Sequence, residues 1–220
     1  FAGKYIAIRM EALLTQWQRQ KLPLLFYASE DVVQVAQSLL GKILVTHFAD
    51  GLTAGRIVET EAYAGVTDKA SHAYKGRTRR TAVMFDTTGT AYIYLCYGLH
   101  QMFNVVTGPP GVAHAVLVRA TAPLAGAELM ALRTGKKLGD SSVARGPGNV
   151  GKAFGFHISQ SGTSLLGNEI FIADDVFVPD SLLIRSSPRI GVAYAAEHAD
   201  WPYRFFISGD VHVSGIRRNK

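Results

Sequence analysis

Residues 56–63 contain two glutamates and a tyrosine at alternating positions, namely Glu59, Glu61 and Tyr63. If this segment is a β-strand, the three side chains share one face, with Glu61 and Tyr63 about 7 Å apart along it. A carboxylate beside an aromatic ring is suited to stacking a flat ligand and activating a water molecule for attack on it. Two ordinary glutamates on an exposed strand edge would give the same pattern, and this segment alone favours that simpler interpretation.

Residues 92–100 are rich in tyrosine, and Tyr97 is followed by Gly98, a residue typical of tight turns. On a strand, Tyr92 and Tyr94 share a face, whereas Tyr97 falls at the tip of a hairpin. A tyrosine on a protruding tip is suited to entering a stack of nucleic-acid bases. The alternative, an aromatic core strand, is favoured for Tyr92 but not for Tyr97.

Residues 146–153 match two glycine patterns of nucleotide-binding loops, G-x-G-x-x-G and G-x-x-x-x-G-K. Both patterns require an apolar strand directly before the glycines, but residues 134–145 are polar. Ala153 also lacks the hydroxyl group that would hold magnesium, so dinucleotide and ATP binding are rejected. Backbone amides that open a helix here could hold a DNA phosphate, with Lys152 nearby. A simple loop explains the segment equally well.

Basic residues are unevenly distributed along the chain, whose formal net charge is +6. Four of them lie within six positions before the tyrosine-rich segment: Lys75, Arg77, Arg79 and Arg80. This cluster favours a polyanionic partner such as nucleic acid, and a solvated surface cluster is the alternative. Arg119 interrupts an apolar segment, where a surface position is the usual explanation. A carboxylate partner would change that interpretation, and Glu61 is the candidate.

The composition excludes several classes of site. The single cysteine, Cys96, excludes an intrachain disulfide and a zinc site with paired cysteines, and the seven histidines show no close metal-ligand spacing. We therefore expect no catalytic metal and no cofactor. No apolar run reaches the length that a bilayer requires, so no membrane partner is expected. Together these features predict a soluble intracellular protein.

The pattern of apolar residues and turn signals predicts one α+β domain. We expect a curved, mostly antiparallel β-sheet, surrounding helices and a protruding β-hairpin. Residues 23–220 form this domain, and residues 1–22 are interpreted as an N-terminal extension that could be partly flexible or vector-derived. A helix capped by Ser29 and another beginning at Pro123 are predicted. The predicted strands are 42–48, 52–63, 90–96, 101–107, 115–121, 169–173 and 203–208.

In combination, these segments resemble the alkyladenine (3-methyladenine) DNA glycosylase family. The matching motifs occur in order from about residue 23 to residue 214, which is nearly the whole chain. Because several distinctive motifs recur in one order, the resemblance is more specific than any single motif. They are residues 39–42, 56–63, 68–72, 84–85, 91–98 with Asn104, 116–120, 146–148 and 189–192.

The resemblance implies a role for each candidate residue. Glu61 would be the general base that activates water, and Arg119 would hold that carboxylate and the water. Tyr63 and Tyr94 would sandwich the flipped base between their rings. His72 would stack on it and form a hydrogen bond, and Asn104 would line the pocket. Tyr97 would fill the gap left in the duplex, and the other residues expected to contact DNA are Leu99, Arg77, Arg80 and Lys152.

Four positions depart from the family pattern. Leu99 stands where methionine is expected beside the wedge, which could alter how the wedge packs. Asn149 stands where lysine is common, which weakens one expected phosphate contact. Val211 and His212 replace a proline–aromatic pair. None of these departures removes a catalytic role.

The implied function is that of a monofunctional, metal-free DNA glycosylase that leaves an abasic site. Its partner would be double-stranded DNA with an alkylated or deaminated purine, and a monomer located with the DNA inside the cell is expected. Two alternatives remain open: a structure-specific DNA-binding module without catalysis, and a hydrolase of free nucleosides or RNA. A related formyltransferase C-terminal domain would leave Glu61 and Tyr63 without a purpose.

Overall fold

The structure is a computed structural model that describes residues 2–215, with side chains from residue 8 onwards. The helices are α1 Ala2–Arg19, α2 Leu24–Tyr27, α3 Val32–Ser38, α4 Ala82–Asp86, α5 Ala127–Thr134 and α6 Pro147–Ala153. The strands are β1 Ile43–Phe48, β2 Gly51–Tyr63, β3 Ala91–Cys96, β4 His100–Thr107, β5 His114–Ala125, β6 Ile170–Ala173, β7 Ile184–Ser187 and β8 Arg204–Ile207. Short 3₁₀ segments lie at Gly65–Thr67, His72–Lys75, Ile158–Gln160, Ser181–Leu183 and Ala193–Asp200.

Within the described range, the eight strands form one sheet in which neighbouring strands run antiparallel. The order is β3-β4-β5-β2-β1-β6, and β8 joins β2 to β7. The long strand β2 is central, because its first half pairs with β1, its second half pairs with β8, and β5 pairs along its other edge. The predicted α+β class and antiparallel sheet are therefore confirmed.

Apolar residues cover both faces of the sheet. The largest core cluster packs α3, α5 and α6 against one face, with residues such as Leu39, Met130 and Phe154 fully buried. On the other face, Trp17 of α1 packs with Ile43 and neighbouring residues of β1 and β6. No helix in the described part of the chain is long and apolar enough to cross a membrane.

The close packing of helix α6 explains why residues 146–153 match the glycine patterns of nucleotide-binding loops. A Cβ atom added to Gly151 would lie 1.9 Å from the backbone oxygen of Gln101, and one added to Gly148 would lie 2.7 Å from Nδ1 of His100. Glycine is therefore required where this helix packs closely against strand β4. The glycine spacing reflects helix–sheet packing next to the turn of the β3–β4 hairpin.

Several local predictions were wrong. The side chain that caps α3 belongs to Asp31, which accepts from the Gln34 N–H at 2.9 Å, whereas Ser29 Oγ accepts from the Asp31 N–H. Pro123 lies in strand β5 beside a register shift, where its missing N–H is tolerated, and α5 begins only at Ala127. Strand β7 was missed, and the segment 146–153, for which a simple loop was an equal alternative, forms helix α6.

Candidate active site

Glu61 lies near the end of β2 and is fully buried, so the interpretation of an exposed strand edge is wrong. Its Oε1 atom accepts the backbone N–H of Ile190 at 2.8 Å and lies 3.3 Å from Nη1 of Arg119. Its Oε2 atom accepts the hydroxyl of Tyr63 at 2.8 Å. Two hydrogen-bond donors and one ion-pair partner, from separate segments of the chain, therefore fix the orientation of this carboxylate.

Arg119 is buried between two carboxylates and is not a surface residue. Its Nε donates to Glu59 at 2.8 Å, while Nη1 faces Glu61. The pairing of β2 with β5 skips Arg119, because Glu59 pairs with Ala120 and Thr60 pairs with Val118. A bulge of this kind redirects a side chain, and here the redirected guanidinium reaches both glutamates.

Glu59 is the partner that the sequence analysis missed. It also accepts from Nε of Arg204 at 2.7 Å and from the backbone N–H of Ser214 at 2.7 Å. Burial disfavours the charged form of Arg119, but Glu61 and Glu59 outweigh that effect and raise its pKa. Arg119 therefore stays cationic between the two buried carboxyl groups.

A small pocket adjoins this network, with a cavity volume of about 40 Å³. Every residue predicted to contact the base lines it, and Tyr63 also contacts Glu61 through its hydroxyl. The predicted residues in the wall are Tyr63, His72, Tyr94 and Asn104. Tyr194 also lines the pocket and was not predicted from the sequence. Burial and the charge of Glu61 raise the pKa of Tyr63 well above its usual value, so its hydroxyl keeps its proton.

His72 is held by aromatic neighbours within the pocket wall. Its Nδ1 lies 2.9 Å from the hydroxyl of Tyr92, and its ring is 4.5 Å from that of Tyr94 in an edge-to-face arrangement. Burial and the nearby charge of Arg80 lower the pKa of His72 to about 4. The imidazole is therefore neutral at neutral pH.

The basic residues predicted to contact DNA lie in different surroundings. Arg80 lies against a residue of the pocket wall, with its guanidinium carbon 5.1 Å from the Tyr94 ring centroid. Arg77 forms an exposed ion pair with Asp86, and Lys152 is exposed on α6. Arg80 and Tyr94 also line a separate open groove of about 890 Å³.

The β3–β4 hairpin presents two exposed apolar side chains at its tip. Tyr97 is 91% exposed and Leu99 is 72% exposed. Tyr97 has a φ of 51°, a left-handed conformation that is uncommon for a residue with a side chain. The turn therefore directs an aromatic ring into solvent.

Asn104 is 4% exposed and lies on strand β4 of this hairpin, away from its tip. Its Nδ2 donates to the backbone carbonyls of Tyr92 at 3.1 Å and Met102 at 3.3 Å. These bonds hold the amide in a fixed place in the pocket wall.

Among the residues that the structure describes, no three His, Cys, Asp or Glu side chains are grouped in a way that could hold a metal ion.

Comparison with known proteins identifies the family. The model of the family described as methylpurine-DNA glycosylase matches residues 25–211. A "Putative 3-methyladenine DNA glycosylase" of Chlamydia abortus (strain DSM 27085 / S26/3) is 43% identical over 188 residues, covering 84% of this chain and 97% of the relative. Proteins of the same name from Legionella pneumophila (strain Lens) and Desulfitobacterium hafniense (strain Y51) are 44% and 40% identical. The Legionella match covers 89% of this chain and 98% of that relative, and the Desulfitobacterium match covers 86% of this chain and 96% of that relative. The chain therefore belongs to the methylpurine-DNA glycosylase family and is a DNA glycosylase.

Proposed function

We propose that this DNA glycosylase removes alkylated or deaminated purines from duplex DNA by hydrolysis and leaves an abasic site. The substrate class is 3-methyladenine, 7-methylguanine, hypoxanthine and ethenoadenine. One observation carries the proposal: Tyr63 lines an aromatic pocket and donates its hydroxyl to the buried carboxylate of Glu61. A base stacked in this pocket would place its sugar close to a general base.

In the proposed reaction, Glu61 accepts a proton from a water molecule as the water oxygen bonds to the sugar C1′. The bond from C1′ to the purine nitrogen breaks, and its electron pair leaves with the purine. A positively charged alkylated purine thereby leaves as a neutral base, whereas a neutral purine such as hypoxanthine also takes up a proton as it leaves. Such cleavage passes through an oxocarbenium-like state, which the negative charge of Glu61 also favours. Arg119 lies 3.3 Å from the carboxylate and holds it in place.

The aromatic walls suit the proposed leaving groups. An N-alkylated purine carries positive charge, and faces of tyrosine rings attract cations. Because His72 is neutral, it adds no opposing charge to the pocket. A cavity of about 40 Å³ holds little more than water, so the walls must separate when a purine enters.

Duplex DNA is the proposed partner, because a base inside the stack cannot reach the pocket unless it is flipped, and damaged pairs flip at lower cost. Arg77, Arg80, Leu99 and Lys152 are proposed to contact the DNA around the flipped nucleotide. We propose that the protein acts as a monomer, with the DNA in the cell interior.

Tyr97→Ala is expected to weaken base flipping more than it weakens binding to undamaged duplex. Stacking of an aromatic side chain on a base contributes about 1–3 kcal/mol, so the flipping equilibrium should fall by ~10-fold or more. Ionic contacts with phosphates supply the non-specific affinity and remain. Fluorescence of ethenoadenine in a duplex reports flipping, and an unchanged signal with the variant would exclude the wedge role.

Asn104→Ser is expected to relax discrimination against guanine, which differs from hypoxanthine by a 2-amino group. The amide of Asn104 is held by two backbone carbonyls and cannot easily give way to an added group. The ratio of guanine to hypoxanthine excision should rise by about 10-fold. Single-turnover rates on matched duplexes measure it. If both rates fall together at a constant ratio, Asn104 is structural and the selective group lies elsewhere.

The proposed substrate class is tested with duplexes that each carry one defined lesion, followed by alkaline cleavage at abasic sites. Release from alkylated adenine, hypoxanthine and ethenoadenine duplexes is expected. Release from free inosine with none from duplex would favour a nucleoside hydrolase. Tight lesion binding without release from any of them would favour a binding module.

A further inference from the structure

Asp68 and Arg189 form a buried ion pair close to the site but outside the pocket. Both side chains are fully buried, and each carboxylate oxygen accepts from one terminal nitrogen of the guanidinium. Burying such a pair gives little net stability compared with apolar residues of similar size. Stability alone therefore does not account for this pair, and its contacts point to another role.

The pair is connected to Glu61 through the backbone. Ile190 follows Arg189 directly, and its N–H donates to Oε1 of Glu61 at 2.8 Å. Arg189 also donates to the carbonyl of Ala62, the residue after Glu61, at 2.8 Å. The ion pair thus fixes both the donor segment and the strand that carries the acceptor.

The same guanidinium supports the pocket wall. Its central carbon lies 4.9 Å from the ring centroid of Tyr63, while the Tyr63 ring lines the pocket. Asp68 accepts from the backbone N–H of Ala64 at 3.1 Å and of Ala70 at 3.0 Å, and so fixes the chain directly after Tyr63. One buried pair therefore adjoins both the carboxylate and the stacking ring.

We infer that Asp68 and Arg189 are positioning residues for base release, acting on Glu61 through the N–H of Ile190. This inference rests on the proposed role of Glu61. Reactions that depend on orientation are sensitive to small displacements, and a shift of about 1 Å can cost ~10²-fold in rate. Loss of the Ile190 donor would let the carboxylate rotate away from the attacking water.

The Ile190 donor is tested by comparing Ile190→Pro with Ile190→Ala. Both variants lose the isoleucine side chain, but only proline lacks the N–H. A hydrogen bond to a charged group contributes about 1.5–3 kcal/mol, so hypoxanthine release by the proline variant should be ~10–100-fold slower than by the alanine variant. Affinity for a duplex with a stable abasic analogue should be the same for both. Equal release rates would overturn the role of this donor.

The ion pair is tested with Asp68→Asn, introduced into the wild-type enzyme and into the Glu61→Gln enzyme. The substrate is 7-methylguanine duplex, because its charged base leaves well without much assistance. If Asp68 acts through Glu61, Asp68→Asn slows release by the wild-type enzyme and has little further effect on the Glu61→Gln enzyme. A purely structural defect would slow both, and that result would overturn the inference, as would wild-type rates for Asp68→Asn.

Thermal unfolding of each variant separates these effects from loss of folding, and the Ile190 pair decides the question if Asp68→Asn does not fold. A Glu61→Gln enzyme as fast as wild type refutes the proposed role of Glu61. A slow Glu61→Gln enzyme together with fast Ile190→Pro and Asp68→Asn enzymes refutes only the positioning role.

Discussion

Glu61→Gln is expected to release hypoxanthine ~10²–10⁴-fold more slowly than the wild-type enzyme, which is the range for loss of a general base. Glutamine keeps the shape of the side chain, and its amide oxygen can still accept the N–H of Ile190. It cannot take a proton from water. Lesion binding should therefore survive, because the pocket walls are unchanged.

Two measurements on the same duplex check this result. Single-turnover excision gives the rate of base release, and a binding titration under conditions without turnover gives the affinity. A wild-type rate in the variant would transfer the role to Glu59 or refute the mechanism. Glu59 is the weaker candidate, because Arg119, Arg204 and Ser214 already occupy its carboxylate.

Arg119→Met is expected to lower the free energy of unfolding by about 3–5 kcal/mol, the range for removal of one partner from a buried ion pair. The change leaves Glu59 and Glu61 buried without their shared cation. Methionine fills much of the space, so the loss reflects charge more than an empty cavity. Urea unfolding followed by circular dichroism measures it, and base release should fall in parallel.

Arg77→Met provides a matched control for this prediction. Arg77 also pairs with a carboxylate, that of Asp86, but both side chains are about half exposed. Exposed pairs are screened by water and add little to stability. The control should therefore unfold at nearly the wild-type urea concentration. Equal losses for the two variants would contradict the account of Arg119 as a buried counter-ion.

Local patterns in the sequence predicted a good part of this site. The alternation of Glu61 and Tyr63 placed both on one strand, and Gly98 after Tyr97 predicted the hairpin tip. For Arg119 a surface position was the usual explanation, and Glu61 was the candidate if a carboxylate partner existed. Each of these inferences depended on residues near one another in the chain or on a charge that must be compensated.

Contacts between distant segments were not predictable in the same way. Glu59 meets Arg204 across 145 positions, and Asp68 meets Arg189 across 121 positions. Periodicity cannot reveal such pairs, because it reports only which face of an element a residue occupies. The bulge that turns Arg119 towards both glutamates is also a property of strand pairing. For the same reason, Glu59 looked like an ordinary surface residue.

The wrong predictions of helix starts, caps and loops also have a physical cause, because the residue types concerned suit more than one local structure. Pro123 is typical of a first helical turn, but it also fits a strand where the register shifts. Ser29 and Asp31 are both good helix caps, and packing decided between them. The glycines of α6 resemble a phosphate loop because close backbone packing and phosphate binding both exclude a Cβ atom.

The most direct test of the central claim is single-turnover reaction of the wild-type enzyme with a hypoxanthine duplex, divided between alkaline cleavage and borohydride trapping. If Glu61 activates water, alkali-labile abasic sites accumulate and no protein becomes linked to DNA. A borohydride-trapped covalent adduct would mean that an amine of the protein attacks the sugar. That adduct, or the absence of any release from hypoxanthine, would contradict the account.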